Sequence, residues 1–348
     1  MNFILNNIVC PNILEMSPYS CARDEFEGEA SIYLDANENP FDNGLNRYPD
    51  PHQKDLKEII SQKKAIGSDQ LFLGNGSDEA IDLLFRIFCN SGKDNYISIT
   101  PTYGMYEVCG RINNIERREA LLDDAFQLDV EKIKALWDQQ TKLIFLCSPN
   151  NPTGNMLSKE AILSLCKSFH GIVVVDEAYI DFSSEPSFTN YLDQIPNLVV
   201  LQTFSKAWGL AGIRLGMAMA QKEIIDLFNK VKYPYNVNQL TQQKALDYLV
   251  NKQEKVDREI KNIIAERELL KRELNELSTV EKVYPSEANF LLIKISNATG
   301  VYKALLQKGI VTRNRSKVVL CNECLRITIG TPDENRVLVE QIKAITEK

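Results

Sequence analysis

The sequence predicts an α/β fold built on a mostly parallel central sheet, with a smaller α+β domain beside it. Short apolar runs recur between residues 71 and 201, and helical patterns separate them. These runs do not alternate with polar residues, which is typical of parallel strands covered on both faces. At 348 residues the chain is long enough for two domains, each with its own core.

Five apolar runs are the predicted strands of the central sheet. They are rich in β-branched and aromatic residues, whose side chains pack well on a pleated surface. Because a helical segment lies between most of them, we expect crossover connections and therefore parallel pairing. The runs are LFL at 71–73, YISI at 96–99, LIFLC at 143–147, IVVV at 172–175 and LVVL at 198–201.

The helices between these strands are predicted from residues that are typical of helix starts. Ser77 and Ser158 are predicted to cap two of them, because each is followed by an acidic residue within the first helical turn. Charged and apolar positions from Val237 to Leu277 keep helical spacing, which predicts one long helix or a broken pair. Helices are expected over about 78–90, 129–139 and 158–169.

The C-terminal part predicts a smaller α+β domain. ANFLLIKI at 288–295 and CLRITIG at 324–330 are its predicted strands. A last helix should begin at Pro332, since Thr331 and Glu334 can form a capping box around its first turn. We expect a large α/β domain over 46–245, and a small α+β domain over 246–348 that is completed by an N-terminal arm over 1–45.

Charge and composition exclude several classes of protein. There are 40 basic and 47 acidic side chains, so the net charge of −7 gives no field for nucleic acid. The N-terminus lacks a basic region and is interrupted by Pro11, which does not fit a signal peptide. No stretch reaches the roughly 18 apolar residues that a membrane span needs. We expect a cytoplasmic protein without nucleic-acid or membrane partners.

Cysteine and histidine usage argues against a metal site. The eight cysteines are scattered, several of them within apolar runs, where a thiol behaves as a small hydrophobic group. Cys321 and Cys324 form the one Cys-x-x-Cys pair, but no second pair accompanies it. His52 and His170 are the only histidines. We expect no metal and a reducing compartment.

Five polar motifs directly follow predicted strands. The carboxyl ends of parallel strands meet at one edge of a sheet, and ligands of open α/β sheets bind at that edge. We therefore expect these segments to converge on one pocket. They are GNGSDE at 74–79, TPTYGMY at 100–106, SPNNPTG at 148–154, DEAY at 176–179 and TFSK at 203–206.

GNGSDE ends a strand and opens a helix, which leaves the backbone N–H groups near Ser77 and Asp78 free to bind phosphate. An ordinary glycine turn with a serine cap explains the motif equally well. It has neither the GxGxxG spacing of dinucleotide sites nor a GxxxxGK[ST] loop. A nicotinamide dehydrogenase is therefore disfavoured.

The expected pocket combines a lysine with a carboxylate. Asp176 follows one strand and Lys206 follows another, and Asn151 and Tyr179 come from neighbouring motifs. Each residue alone is also typical of a solvated surface. Together with a phosphate-type helix start they match the needs of pyridoxal phosphate, which are a Schiff-base lysine, an acid for the pyridinium nitrogen and phosphate donors.

These motifs carry a resemblance that spans nearly the whole chain. The sequence resembles the fold-type I pyridoxal-phosphate aminotransferases and, among them, the histidinol-phosphate aminotransferase family. One such segment would be weak, but ten segments in the family's order are specific. They are SPYSCAR (17–23), LDANENP (34–40), LNRYPDP (45–51), GNGSDEAI (74–81), PTYGMY (101–106), CSPNNPTG (147–154), VVDEAYI (174–180), TFSKAWGLAGIRLG (203–216), VTRNRS (311–316) and CLRITIG (324–330).

The resemblance implies a role for each cofactor residue. Lys206 would be the Schiff-base lysine, and its freed amine would move the proton during catalysis. Asp176 would keep the ring nitrogen protonated, and Asn151 and Tyr179 would hydrogen-bond the phenolic oxygen. Tyr103 would stack on the ring. Phosphate contacts would come from Ser77, Asp78, Thr203, Ser205 and Arg214, and from Tyr48 of a second subunit in a homodimer.

The same resemblance implies that Tyr19, Asn37, Arg313 and Arg326 bind the substrate. Arginine binds phosphate and carboxylate alike through paired N–H donors. The implied reaction exchanges the amino group between L-histidinol phosphate and 2-oxoglutarate by a ping-pong mechanism, and it forms imidazole acetol phosphate and L-glutamate in histidine biosynthesis. An aromatic amino-acid aminotransferase, a phosphothreonine-type decarboxylase and a non-catalytic pyridoxal-phosphate sensor remain as alternatives.

Overall fold

Two β-sheets organise the chain in a computed structural model that describes residues 3–19, 21 and 30–346. The larger sheet has seven strands in the order β1-β7-β6-β5-β4-β2-β3. Its strands are buried along most of their length, as the unalternating apolar runs predict. They are β1 Leu71–Asn75, β2 Asn95–Thr100, β3 Glu116–Leu121, β4 Thr141–Cys147, β5 Ile172–Asp176, β6 Leu198–Thr203 and β7 Leu215–Ala220.

The strand directions confirm the predicted, mostly parallel sheet. Strands β3, β2, β4, β5 and β6 pair in parallel, whereas β7 is antiparallel to both of its neighbours, β6 and β1. Strand β1 therefore runs in the same direction as the parallel set. As a result, the segments that follow β1, β2, β4, β5 and β6 all leave the sheet at one edge.

Helices cover both faces of this sheet. One core lies between the sheet and α2, α5, α6 and α8, and the other lies between the sheet and α1, α3, α4 and α7. No helix within the described residues is long and apolar enough to cross a bilayer. The bounds are α1 Pro11–Glu15, α2 Lys54–Lys64, α3 Ser77–Phe88, α4 Met105–Ile112, α5 Val130–Leu136, α6 Lys159–Ser168, α7 Lys222–Val231 and α8 Gln239–Asn251.

The two predicted serine caps have different outcomes. The Ser158 side chain accepts a hydrogen bond from the Ala161 N–H, which confirms it as the N-cap of α6. The prediction for Ser77 is wrong, because Ser77 is the first helical residue and Gly76 is the N-cap of α3. Gly76 has φ +74°, a conformation that suits glycine. The first-turn N–H groups of α3 therefore have no side-chain cap.

The smaller sheet is antiparallel and has the order β10-β11-β9-β8. The stretch from Val237 to Leu277 is a broken pair, α8 and α9, and the Thr331–Glu334 capping box is confirmed by reciprocal hydrogen bonds. The elements are α9 Gln253–Asn275, β8 Val280–Val283, β9 Phe290–Ile295, α10 Ala298–Gln307, β10 Arg313–Asn314, β11 Cys324–Thr328 and α11 Pro332–Thr346.

The two faces of the smaller sheet pack on different partners. Leu325 and Ile327 belong to a core that they share with α9, α10 and α11. Leu292 and Cys324 lie on the opposite face and belong to the core of the large sheet. The smaller sheet therefore packs directly against the core of the large sheet through one of its faces.

The N-terminal residues pack on the large sheet. Ile8, Val9 and Ile13 are buried in the core that contains α3 and α7. The Cys10 N–H donates to the Ile87 carbonyl at the end of α3, 2.8 Å away. The domain boundaries given from the sequence remain a prediction.

Two strands of the large sheet escaped sequence reasoning. β3 has the polar sequence ERREAL and therefore gives no apolar signal. It is an edge strand, and most of its side chains face water. β7 has the sequence LGMAMA, which lacks β-branched residues, and it is nevertheless buried at every position. Tertiary packing outweighs intrinsic propensity in both cases.

Gly216 allows α3 to approach β7 closely. A Cβ atom at Gly216 would clash with the backbone nitrogen of Ser77 and the carbonyl carbon of Gly76. Gly216→Ala should therefore destabilise the fold by about 1–3 kcal/mol, because the backbone of a helix start must shift. Gly212→Ala is the matched control, since nothing lies within 4 Å of its Cβ position. Thermal unfolding measures both, and equal midpoints would contradict the argument.

Candidate active site

A cavity of about 160 Å³ opens at the carboxyl edge of the large sheet. It lies where the segments after β1, β2, β4, β5 and β6 converge, as the sequence predicts. Ten of the residues singled out from the sequence line it: Ser77, Asp78, Tyr103, Asn151, Asp176, Tyr179, Thr203, Ser205, Lys206 and Arg214.

One side of the cavity is built to hold an anion. The free N–H groups at the start of α3 point towards it, and a helix start attracts negative charge. Arg214 adds a cation 3.5 Å from the Ser205 hydroxyl and 3.5 Å from the Asp78 carboxylate. Thr203 donates to Ser205 at 3.1 Å, so the hydroxyls form a short network beside the guanidinium. Gly76 also leaves space for this guanidinium, since a Cβ atom there would lie 2.7 Å from the Arg214 Nη2.

Asp176 lies at the end of β5 and is fully enclosed. Its Oδ2 accepts a hydrogen bond from the Tyr106 hydroxyl at 2.6 Å, and its Oδ1 accepts one from the Ala178 N–H at 3.1 Å. Burial raises the pKa of Asp176 from 3.8 to about 6, although these hydrogen bonds act in the opposite direction. A buried carboxylate of this kind gains from a cationic or N–H-bearing ligand in the cavity.

Lys206 follows β6 and stands at the mouth of the cavity. Burial lowers its pKa, and the nearby Arg326 guanidinium lowers it further, while Asp176 acts in the opposite direction. Its Nζ lies 5.6 Å from the centroid of the Tyr179 ring. An amine with a lowered pKa has more of the neutral form that attacks a carbonyl carbon or accepts a proton.

Asn151 and Tyr179 connect the cavity to the smaller sheet. The Asn151 Nδ2 donates to the Tyr179 hydroxyl at 3.4 Å, and its Oδ1 accepts from the Arg326 Nη1 at 2.5 Å. The Arg326 guanidinium also lies 5.1 Å from the centroid of the Phe290 ring. Arg326 therefore reaches from β11 into the edge of the cavity.

Tyr103 forms another wall of the cavity. Its hydroxyl donates to the Asp78 carboxylate at 3.1 Å, and its ring meets the Tyr106 ring edge-on at 5.6 Å between centroids. The ring is thereby fixed over the same space that Asp176 faces. This geometry suits the stacking role that the sequence resemblance implies.

Five predicted residues are not part of the cavity lining, namely Arg326, which contacts the lining residue Asn151, and Tyr48, Asn37, Tyr19 and Arg313. Tyr48 and Asn37 line a separate cleft of about 410 Å³, and the Tyr48 ring stacks on Tyr235 at 4.4 Å. Tyr19 is 71% exposed. Arg313 is directly opposite Arg326 in the β10–β11 ladder, but it is exposed.

The structure also adds residues that sequence reasoning missed. Tyr106 lies within PTYGMY, but only the fold shows that its hydroxyl contacts Asp176. Arg315 follows Arg313 by two positions, and strand alternation could have placed both side chains on one face. The family resemblance gives a role to neither residue.

Comparison with known families decides what kind of protein this is. The family described as "Aminotransferase class I and II" matches residues 33–342, which is most of the chain. The chain belongs to this family. It is therefore an aminotransferase, which confirms the class predicted from the sequence.

Proteins of similar sequence align with almost the whole length of this aminotransferase. A protein of Parabacteroides distasonis named histidinol-phosphate aminotransferase is 54% identical over 339 residues, which is 97% of this chain and 98% of the relative. A protein of the same name from Flavobacterium johnsoniae is 53% identical over 346 residues, 99% of each chain. The crystal structure of the histidinol-phosphate aminotransferase from Clostridium acetobutylicum has a TM-score of 0.79, with 25% identity over 86% of this chain and 91% of that one.

Pyridoxal phosphate is the cofactor that the sequence resemblance implies. The fold is shared with the histidinol-phosphate aminotransferase of Sinorhizobium meliloti in complex with pyridoxal-5′-phosphate (TM-score 0.78, 21% identity, 86% of this chain and 84% of that one). The cavity fits the group, because the uncapped start of α3 with Arg214 suits its phosphate and the buried Asp176 suits its ring nitrogen.

Asp176 should weaken the fold of the enzyme without cofactor at neutral pH. Its folded-state pKa of about 6 lies above the usual 3.8, so its ionisation opposes folding above pH 6, and this cost disappears as the pH falls towards 4. Without cofactor, Asp176→Asn should be more stable than the wild type at pH 8 by about 2 kcal/mol. The two should converge near pH 4.

Urea unfolding at several pH values measures this difference. Asp124→Asn is the control, because Asp124 is exposed and should leave stability unchanged. A wild type that is as stable as Asp176→Asn at pH 8 would contradict the prediction.

Proposed function

We propose that this aminotransferase moves the amino group of L-histidinol phosphate to 2-oxoglutarate, giving imidazole acetol phosphate and L-glutamate in histidine biosynthesis. The observation that carries the proposal is Arg326, a partly buried guanidinium at the cavity edge whose hydrogen-bond partner is an amide rather than a carboxylate. The relatives that are more than 50% identical over nearly their whole length carry the name of this activity.

Arg326 has room for an anionic group. Its Nη1 donates to Asn151, whereas its Nε is buried and has no hydrogen-bond partner among the described residues. A buried cation without an anion is costly, so this arginine gains from a ligand's phosphate or carboxylate. Histidinol phosphate has no carboxylate, and its phosphate is the strong anion that an arginine can orient. Glutamate can present a carboxylate to the same guanidinium.

When bound, the cofactor supplies an aldehyde that takes up the amino group and a pyridinium ring that delocalises the electrons left on the substrate carbon. Asp176 would hold the ring N–H, and the start of α3, Ser205 and Arg214 would hold the phosphate. Asn151 and Tyr179 would donate to the phenolic oxygen. The lowered pKa of Lys206 lets its Nζ accept the proton from the substrate carbon that carries the amino group.

A panel of amines tests the substrate. With 2-oxoglutarate as the acceptor, histidinol phosphate should exceed phenylalanine, tyrosine and phosphothreonine in kcat/KM by about a hundredfold. Phenylalanine and tyrosine carry no phosphate for Arg326, and phosphothreonine carries a carboxylate that histidinol phosphate lacks. Glutamate formation and carbon dioxide release are measured together. A preference for an aromatic amino acid, or carbon dioxide from phosphothreonine, would replace the proposed reaction with one of the two alternatives.

A lysine pair provides the control for this panel. Lys206→Ala should lose turnover with every amine, because no other residue supplies the amine at that position. Lys222→Ala should retain it, since Lys222 is an exposed residue that is paired with Asp226 on α7.

We propose that the enzyme works as a homodimer in the cytoplasm. An irregular segment, residues 30–48, exposes large apolar side chains, including Leu34 at 90% and Phe41 at 80%. Apolar surface of this kind is typical of a protein interface. The cleft that holds Tyr48 and Asn37 is lined by this segment and by the start of α8, and it supports a contribution of Tyr48 to a neighbouring site. All eight cysteines are free and buried, as suits a reducing compartment.

Mixing two inactive variants tests the shared site. If Tyr48 serves the neighbouring subunit, a dimer of one Lys206→Ala chain and one Tyr48→Ala chain has one site with both native residues. Equal mixing should then recover about a quarter of the wild-type activity, because half of the dimers are mixed and each has one native site. Exchange of subunits is verified with tagged chains. No recovery after verified exchange would place Tyr48 in its own subunit's site or outside any site.

A further inference from the structure

Three arginines lie on one face of the smaller sheet. In the antiparallel pair of β10 and β11, Arg313 is opposite Arg326 and Asn314 is opposite Leu325. The Arg315 N–H donates to the Cys324 carbonyl at 2.8 Å, which extends the same ladder by one residue. Because successive side chains of a strand alternate between faces, Arg313, Arg315 and Arg326 point to the same side.

This side faces the active site. Cys324, which lies opposite Arg315, and Leu292, which lies opposite Arg326 on β9, both pack in the core of the large sheet. Leu325 points the other way, into the core of the small domain. Arg326 already reaches Asn151 at the cavity edge from this face. Arg315 therefore extends towards the region that receives the substrate.

Arg315 is also unpaired in a way that other enclosed arginines are not. Its Nε is buried and has no hydrogen-bond partner among the described residues, as is true of the Nε of Arg326. Elsewhere in the described chain, the arginines that are not exposed each have a carboxylate within 4 Å, namely Arg117, Arg118 and Arg267. By contrast, neither Arg315 nor Arg326 has a carboxylate within 4 Å in the part of the chain that the structure describes.

The pKa shifts of Arg315 and Arg326 also indicate an anion site. Burial lowers the pKa of Arg315, and the neighbouring Arg313 lowers it further. Burial likewise lowers the pKa of Arg326, with Arg315 and Arg313 contributing, while Tyr179 acts in the opposite direction. Enclosed like charges repel, and the repulsion is relieved when an anion with more than one negative charge enters.

We propose that Arg315 is a phosphate-binding residue of the amino-donor site, and that it makes this site prefer a phosphate monoester dianion to a single carboxylate. The assignment rests on the proposed function. Arg326 serves phosphate and carboxylate alike, whereas the additional charge of Arg315 adds attraction mainly for the second negative charge of the phosphate. Arg315 is thus a determinant of substrate specificity.

The test compares the two amino donors of the holoenzyme. Arg315→Gln removes the charge, and Arg315→Lys retains it without the paired donors. For histidinol phosphate, Arg315→Gln should raise KM and lower kcat/KM by about ten- to a hundredfold, while Arg315→Lys should lie between it and the wild type. For the half-reaction with glutamate, the same variants should change kcat/KM by less than about threefold. Lys317→Gln, an exposed lysine of the same loop, should change neither.

Inorganic phosphate provides a second readout that does not need histidinol phosphate. It should compete with glutamate in the wild type, and Arg315→Gln should weaken this inhibition by about tenfold or more. If the enzyme does not use histidinol phosphate but phosphate inhibition still depends on Arg315, the proposed function fails and the anion site stands.

Three outcomes would overturn the assignment. Equal losses with both donors would show that Arg315 does not distinguish a phosphate from the carboxylates of glutamate. No loss with either donor would place its side chain outside the site. Unchanged phosphate inhibition in Arg315→Gln would exclude a phosphate contact. If Arg315→Gln does not fold, Arg315→Lys is the test. It should lower kcat/KM for histidinol phosphate more than for glutamate, and an equal effect would overturn the assignment.

Discussion

The shared direction of the strands in the large sheet is the constraint on which the active site depends. Asp176 ends β5, Thr203 ends β6 and α3 begins directly after β1, and these groups share a cavity because the three strands end at one edge. Strand β7 runs the other way between β6 and β1, and its Gly216 lets α3 come close enough to present its free N–H groups. One reversed strand with a glycine at its start thus completes the anion-binding side of the pocket.

The pocket concentrates groups that are costly in the folded chain. Burial raises the pKa of Asp176 and lowers the pKa of Lys206, and both shifts show that the charged forms are disfavoured. Groups with such shifts are typical of catalytic sites, because ligands satisfy what the fold leaves unsatisfied. The stabilising counterpart is the large apolar core on both faces of the sheet. The buried ionisable groups of the pocket therefore lower the stability of the fold locally, and the apolar core compensates for this loss.

The active site also requires that the two sheets keep a fixed relation. Arg326 contacts Asn151 from β11, and Tyr179 packs with Phe182, Ala288 and Phe290 in a small apolar cluster at the junction. This cluster lies directly beside the cavity. A shift of the smaller sheet would therefore move Arg326 relative to Lys206, so the geometry at the cavity edge depends on packing between the sheets.

The sequence by itself determined the parallel α/β sheet and the strand ends at which the polar motifs meet, because apolar periodicity and motif order are local properties of the chain. It also named ten of the residues that line the cavity, through the family resemblance. It misplaced the cap of α3, since a serine and a glycine in GNGSDE are both plausible caps until the backbone angle at Gly76 is known. It also passed over β7 and Tyr106. Only the tertiary structure decided that Tyr106 contacts Asp176 and that Arg315 shares a face with Arg326, because both relations join residues through strand register and packing rather than through sequence spacing.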